Sequence, residues 1–232
     1  MNSGPLLFFG LFLTMACSWL SFIMGPQLQI GDLRPTTNIL VGALGQVYPH
    51  TEPGTAHQGA EIYRANGCAA CHTQQVRPAS LGSDIRRGWG SRRSTASDYI
   101  YENDVMLGSL RVGPDLANAG KRMDAATVLM RLYDPASVAN SEHFTVMPSY
   151  SYMFDRRKIE GARSPDALPF PTTDGYEIVP KTEARQLAAY VMSLHQDGYL
   201  YEAPPPPGAT NVIATNAPAG ATNAAMTNSP AK

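Results

Sequence analysis

Gly67-Cys68-Ala69-Ala70-Cys71-His72 is the stretch on which the reading of the whole chain turns. C-x-x-C-H is the attachment sequence of a c-type haem. Two cysteines three apart put both sulfurs on one short turn, within reach of the two vinyl groups of a haem. The histidine that follows at once is carried beneath the iron as its proximal ligand. A bare C-x-x-C also serves as half a zinc site or as a redox pair. A zinc site wants a second Cys/His pair at short spacing, whereas the remaining cysteine, Cys17, lies inside an apolar run. A redox pair has no use for the adjacent histidine. The expectation is one covalent haem c with its iron, held through Cys68, Cys71 and His72.

N-terminal to this motif, Leu6 to Met24 runs LLFFGLFLTMACSWLSFIM without a charge. A helix crosses a bilayer with roughly 20 such residues. A cleaved signal peptide fits less well, because residues 1–5 carry no Lys or Arg, the apolar run is long and no A-x-A site follows. A lipoprotein signal ending at Cys17 would place Thr14 three positions before it and lacks the basic start. A retained single-pass anchor over residues 1–26 is therefore expected, with Cys17 as a small buried hydrophobe. Haem is attached to C-x-x-C-H outside a bacterial cytoplasmic membrane, which orients the chain with its N-terminus inside and the haem domain on the periplasmic side. A net charge of −1 gives no electrostatic case for nucleic acid, and three cysteines are too few for a disulfide scaffold.

Residues 27–54, with Pro35, Pro49 and Pro53, read as an extended, irregular connector, and Ile39 to Leu44 as an apolar contact patch too short to span a membrane. The globular part is expected over 55–200. Thr55 and Gln58 form a potential capping box for a helix over about 56–66, with Ile62 and Tyr63 inward and Gly67 as its stop. Residues 73–111 form a long insert in which Arg86, Arg87, Arg92 and Arg93 surround Trp89. The default for such a cluster is a solvated face, with propionate pairing or partner docking as alternatives. Gly113-Pro114-Asp115-Leu116 reads as a tight turn. Asp124 caps a short helix through Tyr133, carrying Val128, Leu129 and Leu132 on one face. A polar, proline-containing stretch follows. Thr182 then caps a last helix to about Gln196, where Leu187, Tyr190, Val191 and Leu194 make an apolar stripe and Gly198 is the stop. Residues 201–232, rich in Pro, Ala and Asn, have almost nothing to bury and read as a disordered tail.

An electron-transfer haem wants a sixth ligand, and methionine fills that position in cytochromes c. Met1, Met15 and Met24 precede the domain, Met226 lies in the tail and Met192 falls on the last helix. Met106, Met123, Met130 and Met153 suit packing. Met147 is the leading candidate, because it sits between helical stretches with Pro148 stiffening the backbone after it. Met153 comes next, and His143 is a further alternative. His50, His57 and His195 read as surface or helix-end residues.

Five ordered pieces resemble the mono-haem subunit II of cbb3-type cytochrome c oxidases: GAEIYRANGCAACHTQQVRP (59–78), RRGWGSRRSTASDYIYE (86–102), RVGPDLANAG (111–120), LYDPASV (132–138) and VMPSY (146–150). The resemblance implies a mainly α chain: one N-terminal transmembrane helix, a class I-like cytochrome c domain with a long insert, and a disordered tail. It implies His72 and Met147 as axial ligands, with the Pro114 carbonyl accepting the His72 ring N–H. The implied function is electron relay to a catalytic haem-copper oxidase subunit, which carries haem b, haem b3 and copper. A further cytochrome c subunit or a soluble cytochrome c would be the donor. The chain itself would catalyse no bond-making step. An anchored shuttle for another partner, such as nitric oxide reductase, would not need the 86–102 segment. A haem-based sensor would leave the sixth position open. The stretch 154–180 fits no pattern.

Overall fold

The computed structural model describes residues 3–38, 46–138, 145–171, 175–196 and 198–206. The Ile39–Leu44 patch, His143 and nearly all of the expected tail lie outside these described residues.

The N-terminal stretch forms α1 (Gly4–Trp19) and α2 (Gly25–Ile30), joined through a π-helical turn over Leu20–Met24 into one continuous helix, Gly4–Ile30. Pro26 explains the wider turn. It has no N–H to give to the turn before it, and the Gly25 N–H reaches back to the Leu20 carbonyl. The helix is long and apolar enough to cross a membrane and buries none of that surface in the protein. Its 27 residues rise about 40 Å, more than the roughly 30 Å of a hydrocarbon core. It passes the boundary expected at residue 26 and takes up the first residues assigned to the connector. Cys17 lies on its outward side.

Nor is the connector wholly irregular. β1 (Thr36–Asn38) and β2 (Gln46–Tyr48) pair antiparallel, and Tyr48 at the end of β2 is 2% exposed. This tyrosine roots the connector in the domain.

The core is built where α3 (Gly54–Ala65) crosses α7 (Thr182–Ser193). Gly59 permits the crossing, since a Cβ there would overlap the Gln186 carbonyl and the Tyr190 side chain. Four residues on, Tyr63 meets Tyr190 edge to face at 5.3 Å between ring centroids. α4 (Ala119–Arg122) makes a second close approach to α7 at Gly120, against the Met192 carbonyl. α5 (Ala125–Tyr133) adds Val128 and Leu132 to the core, with Leu129 packed beside them. α6 (Pro135–Val138) follows after Asp134.

The Asp124 carboxylate accepts the Thr127 N–H at 2.7 Å and caps α5. The other two expected caps are corrected. α3 starts from Pro53 with no side-chain cap, and Gln58 bonds Gln186 across the helix crossing instead of folding back on Thr55. Thr182 is the first residue of α7, Lys181 holds the cap position without a side-chain bond, and the helix ends at Ser193. Leu187, Tyr190, Val191 and Leu194 are all buried, Leu194 just beyond the last turn.

Within 154–180, β3 (Phe154–Lys158) and β4 (Tyr176–Pro180) pair antiparallel, from Phe154 opposite Pro180 to Lys158 opposite Tyr176. The sequence shows no strand alternation here, because β3 buries only Phe154 and exposes its other four residues. The described residues are thus mostly helical, with two small ribbons added.

Candidate haem site

Gly67, at φ 67°, takes the left-handed conformation that ends α3 and turns the chain into the motif. Cys68–Ala70 is a single 3-10 turn, and the His72 N–H bonds the Cys68 carbonyl at 2.9 Å. Both sulfurs and the imidazole are therefore carried on one hydrogen-bonded turn.

A second segment, Leu107 to Leu116, lies alongside. The Ser109 N–H bonds the Ala69 carbonyl, the Gly113 N–H the Cys71 carbonyl at 3.0 Å, and the Leu116 N–H the Thr73 carbonyl at 2.7 Å. Two glycines make this approach feasible. A Cβ at Gly108 would strike the His72 carbonyl, and one at Gly113 would strike the His72 ring itself.

The His72 Nδ1 lies 2.8 Å from the Pro114 carbonyl oxygen. A carbonyl only accepts, so Nδ1 carries the proton and Nε2 keeps its lone pair. Burial pushes the His72 pKa down, against the opposing pull of the Pro114 carbonyl and the Asp115 charge. The neutral ring is the form that binds a metal.

Asp115 is fully buried. Its Oδ2 accepts the Thr73 hydroxyl at 2.7 Å and the Gln75 N–H at 2.8 Å, and its Oδ1 accepts the Ala117 N–H at 2.9 Å. It thus ties the chain after His72 to the chain after Pro114.

On the cysteine side, Cys68 is half-buried and Cys71 exposed. Burial pushes the Cys68 thiol up, and a hydrogen bond with the Tyr150 hydroxyl partly offsets it. Burial likewise pushes Tyr150 up to about 12. Tyr150 belongs to the Met147–Tyr150 segment, whose backbone bonds Leu132 at 2.8 Å. Met147 is half-buried against the hydrophobic core, as are Cys68, Ala69, Met106 and Tyr150. Met153, the other methionine considered, is 3% exposed within the core.

The arginine cluster divides. Arg86, Arg87 and Arg93 are exposed, and Arg87 stacks on Trp89. Arg92 departs from the expected solvated face, being 1% exposed. Its Nη1 and Nη2 grip the Asp98 carboxylate at 3.0 and 2.6 Å, Nη2 also reaches the Tyr48 hydroxyl, and Nε bonds the Gly198 carbonyl at 2.6 Å. Arg92 therefore braces the connector, the insert and the segment after α7.

These residues fit a haem. The donor set is two thiols and a neutral imidazole with a free Nε2. The Leu107–Leu116 segment beside that imidazole presents Leu107, Leu110 and Val112 at its surface, as would suit an apolar macrocycle. Gly113, Asp115 and Tyr150 carry no site role in the sequence reading, and Arg92 enters it only within the arginine cluster. The turn motif at 113–116 pointed to the first two, and nothing local pointed to the others.

Helices packed around a C-x-x-C-H turn, in a chain that starts with an apolar helix, are consistent with a cytochrome c domain. The chain belongs to the family described as Cytochrome C oxidase, mono-heme subunit/FixO, which matches residues 33–173, more than half of its length. The apolar helix Gly4–Ile30 is consistent with a membrane anchor for such a subunit. A comparison with curated proteins found no match.

Proposed function

We propose that this chain is the electron-transfer subunit of a cbb3-type haem-copper oxidase, relaying electrons through one covalent haem c to the catalytic subunit. The observation that carries this reading is the His72 turn, with its ring held at Nδ1 by Pro114 and pressed on Gly113, in a chain of the mono-haem oxidase-subunit family. Cys68 and Cys71 would hold the haem covalently, and His72 Nε2 and the Met147 sulfur would ligate its iron. The haem, when bound, supplies the one-electron chemistry.

The chain's own residues supply constraint. Pro114 holds the imidazole orientation, so the ring need not turn between redox states. Gly113 and Gly108 admit the close backbone cover, and the buried helix crossing keeps the domain rigid around it. Pro148 stiffens the segment that presents Met147. The helix Gly4–Ile30 anchors the haem domain, residues 55–200, on the periplasmic face of the bacterial cytoplasmic membrane. The donor is a further cytochrome c subunit or a soluble cytochrome c.

The test is a reduced-minus-oxidised spectrum, with and without carbon monoxide, of the tagged chain purified from its native membrane in mild detergent. Haem c with haem b and a CO-sensitive high-spin signal is the expected result. Low-spin haem c alone, insensitive to carbon monoxide, would instead indicate a free-standing anchored carrier. A CO response from haem c of the wild-type chain would contradict Met147 ligation, whereas Met147→Ala should create that response and lower the potential.

A further inference from the structure

We propose that Asp115 is a positioning residue that also sets the haem potential, as a fixed negative charge on the His72 side held against the backbone of both segments that frame the imidazole. This inference rests on the haem reading above.

Asp115 is fully buried, and its three accepted hydrogen bonds come from Thr73, Gln75 and Ala117. Thr73 follows His72 directly, and Asp115 follows Pro114, whose carbonyl holds the ring. One carboxylate thus clamps the two peptide segments whose spacing fixes the Nδ1···O contact. All three groups that face its oxygens are donors, two backbone N–H groups and a hydroxyl. The cations facing it are arranged so that its charge is only partly matched. Arg111 approaches Oδ2 at 3.8 Å but spends its closer contact, 2.6 Å, on Asp84, which also pairs with Arg77. Arg122 bonds the Asp115 backbone carbonyl, and its charge and that of Arg77 act on the carboxylate without a hydrogen bond to it. Asp115 follows Pro114, whose carbonyl lies 2.8 Å from the ring Nδ1, so the field of its carboxylate falls on the His72 ring. The same field favours the more positive oxidation state of a metal on the other ring nitrogen, and so holds the reduction potential down.

Sign separates this from a purely structural role. Asp115→Asn removes the charge while keeping the shape, and should raise the potential. A unit charge about 10 Å away at an effective dielectric constant near 20 shifts the reduced-to-oxidised ratio at fixed ambient potential by about tenfold. Arg111→Gln removes a cation from the same cluster and should shift the ratio the opposite way, by less because Arg111 is partly exposed. Mere loosening of the pocket lets water in at either site and would move both variants in one direction.

The experiment is a potentiometric titration of the haem c α-band in the membrane-bound complex for wild type and both variants. A raised potential in Asp115→Asn with a lowered one in Arg111→Gln is the expected result. Unchanged or lowered potential in Asp115→Asn, with haem c retained, overturns the proposal. Should Asp115→Asn fail to fold, a shift in Arg111→Gln that is absent or upward overturns it. Absence of a haem c band from wild type would overturn the haem reading itself, and this proposal with it.

Discussion

Asp98 and Asp115 are both carboxylates taken out of water, 6% and 0% exposed, and they differ in how closely a guanidinium approaches them. A guanidinium holds Asp98 at both oxygens, at 2.6 and 3.0 Å from Arg92, beside the Tyr48 hydroxyl and the Thr95 N–H. Two backbone N–H groups and a hydroxyl hold Asp115, with its nearest guanidinium set back at 3.8 Å. The first arrangement neutralises a charge where three remote parts of the chain must be joined. The second surrounds a carboxylate with dipoles on the segment that holds the imidazole. Buried charge is therefore a brace in one region and a source of field in the other. Which it is depends on whether the compensating groups carry full charge or dipoles.

Removing the brace should produce the largest effect. Arg92→Met leaves Asp98 buried without its cation, and such breaks cost about 3–5 kcal/mol. Chemical denaturation of the detergent-solubilised domain should register that loss, while any folded fraction keeps a normal haem spectrum because Arg92 does not touch the His72 turn. A loss under about 1 kcal/mol would show that Asp98 has other compensation and would collapse the contrast.

On the other side, Gly113→Ala places a methyl group against the His72 ring. Overpacking of this kind costs about 1–3 kcal/mol. Here it should fall on the site, displacing the ring from Pro114 and perturbing the haem c bands more than global stability. Unaltered bands would mean that the backbone yields and that the close approach does not constrain the ring.

Glu102 sharpens the comparison as a carboxylate helped by little more than the Met106 backbone. Its Oε2 is buried and has no hydrogen-bond partner among the described residues. Burial and the Glu52 charge push its pKa from 4.5 up to about 7, with Asp98 adding to the shift and the Met106 backbone opposing it. The folded chain therefore holds this proton to higher pH than the unfolded chain does. The stability it contributes is full below about pH 4.5, falls as pH rises towards about 7, and is lost above. Glu102→Gln should flatten that decline and stabilise the protein at pH 8 by on the order of 1 kcal/mol, read as thermal midpoint against pH. Parallel pH profiles for variant and wild type would contradict the assignment. The smallest effect belongs to Arg64, whose pairs with Glu61 and Asp104 are exposed. Arg64→Ala should cost less than about 1 kcal/mol, and the loss should shrink in high salt.

The two regions also differ in how far the sequence discloses them. The haem turn is local chemistry. Cys68, Cys71 and His72 fall within five residues, and Gly113 to Leu116 spell a turn, so the residue types announce themselves. The contact between His72 and Pro114 spans 42 positions and could be expected only from a family resemblance. The brace has no local signature, since Tyr48, Arg92, Asp98 and Gly198 are scattered over 150 residues. An arginine in a run of arginines reads as solvent-exposed until its partner is located. The helices followed their apolar spacing, which is why α5 and α7 were foreseen and their buried faces with them. The ribbons were not, because β3 is charged along four of five residues and derives its pairing from a strand that begins 18 residues after it ends. Helix starts were read from side chains able to cap, but Gln58 is used in the helix crossing and Thr182 lies inside its helix.

Covalent attachment is the most direct test of the central claim. The full chain, purified from its native membrane and denatured, can be compared by intact mass and by haem staining on a denaturing gel with a Cys68→Ala/Cys71→Ala double variant. Wild type should retain one haem through denaturation, and the double variant should carry none. A wild-type chain whose mass is that of bare polypeptide, or whose haem leaves on denaturation, would contradict that claim.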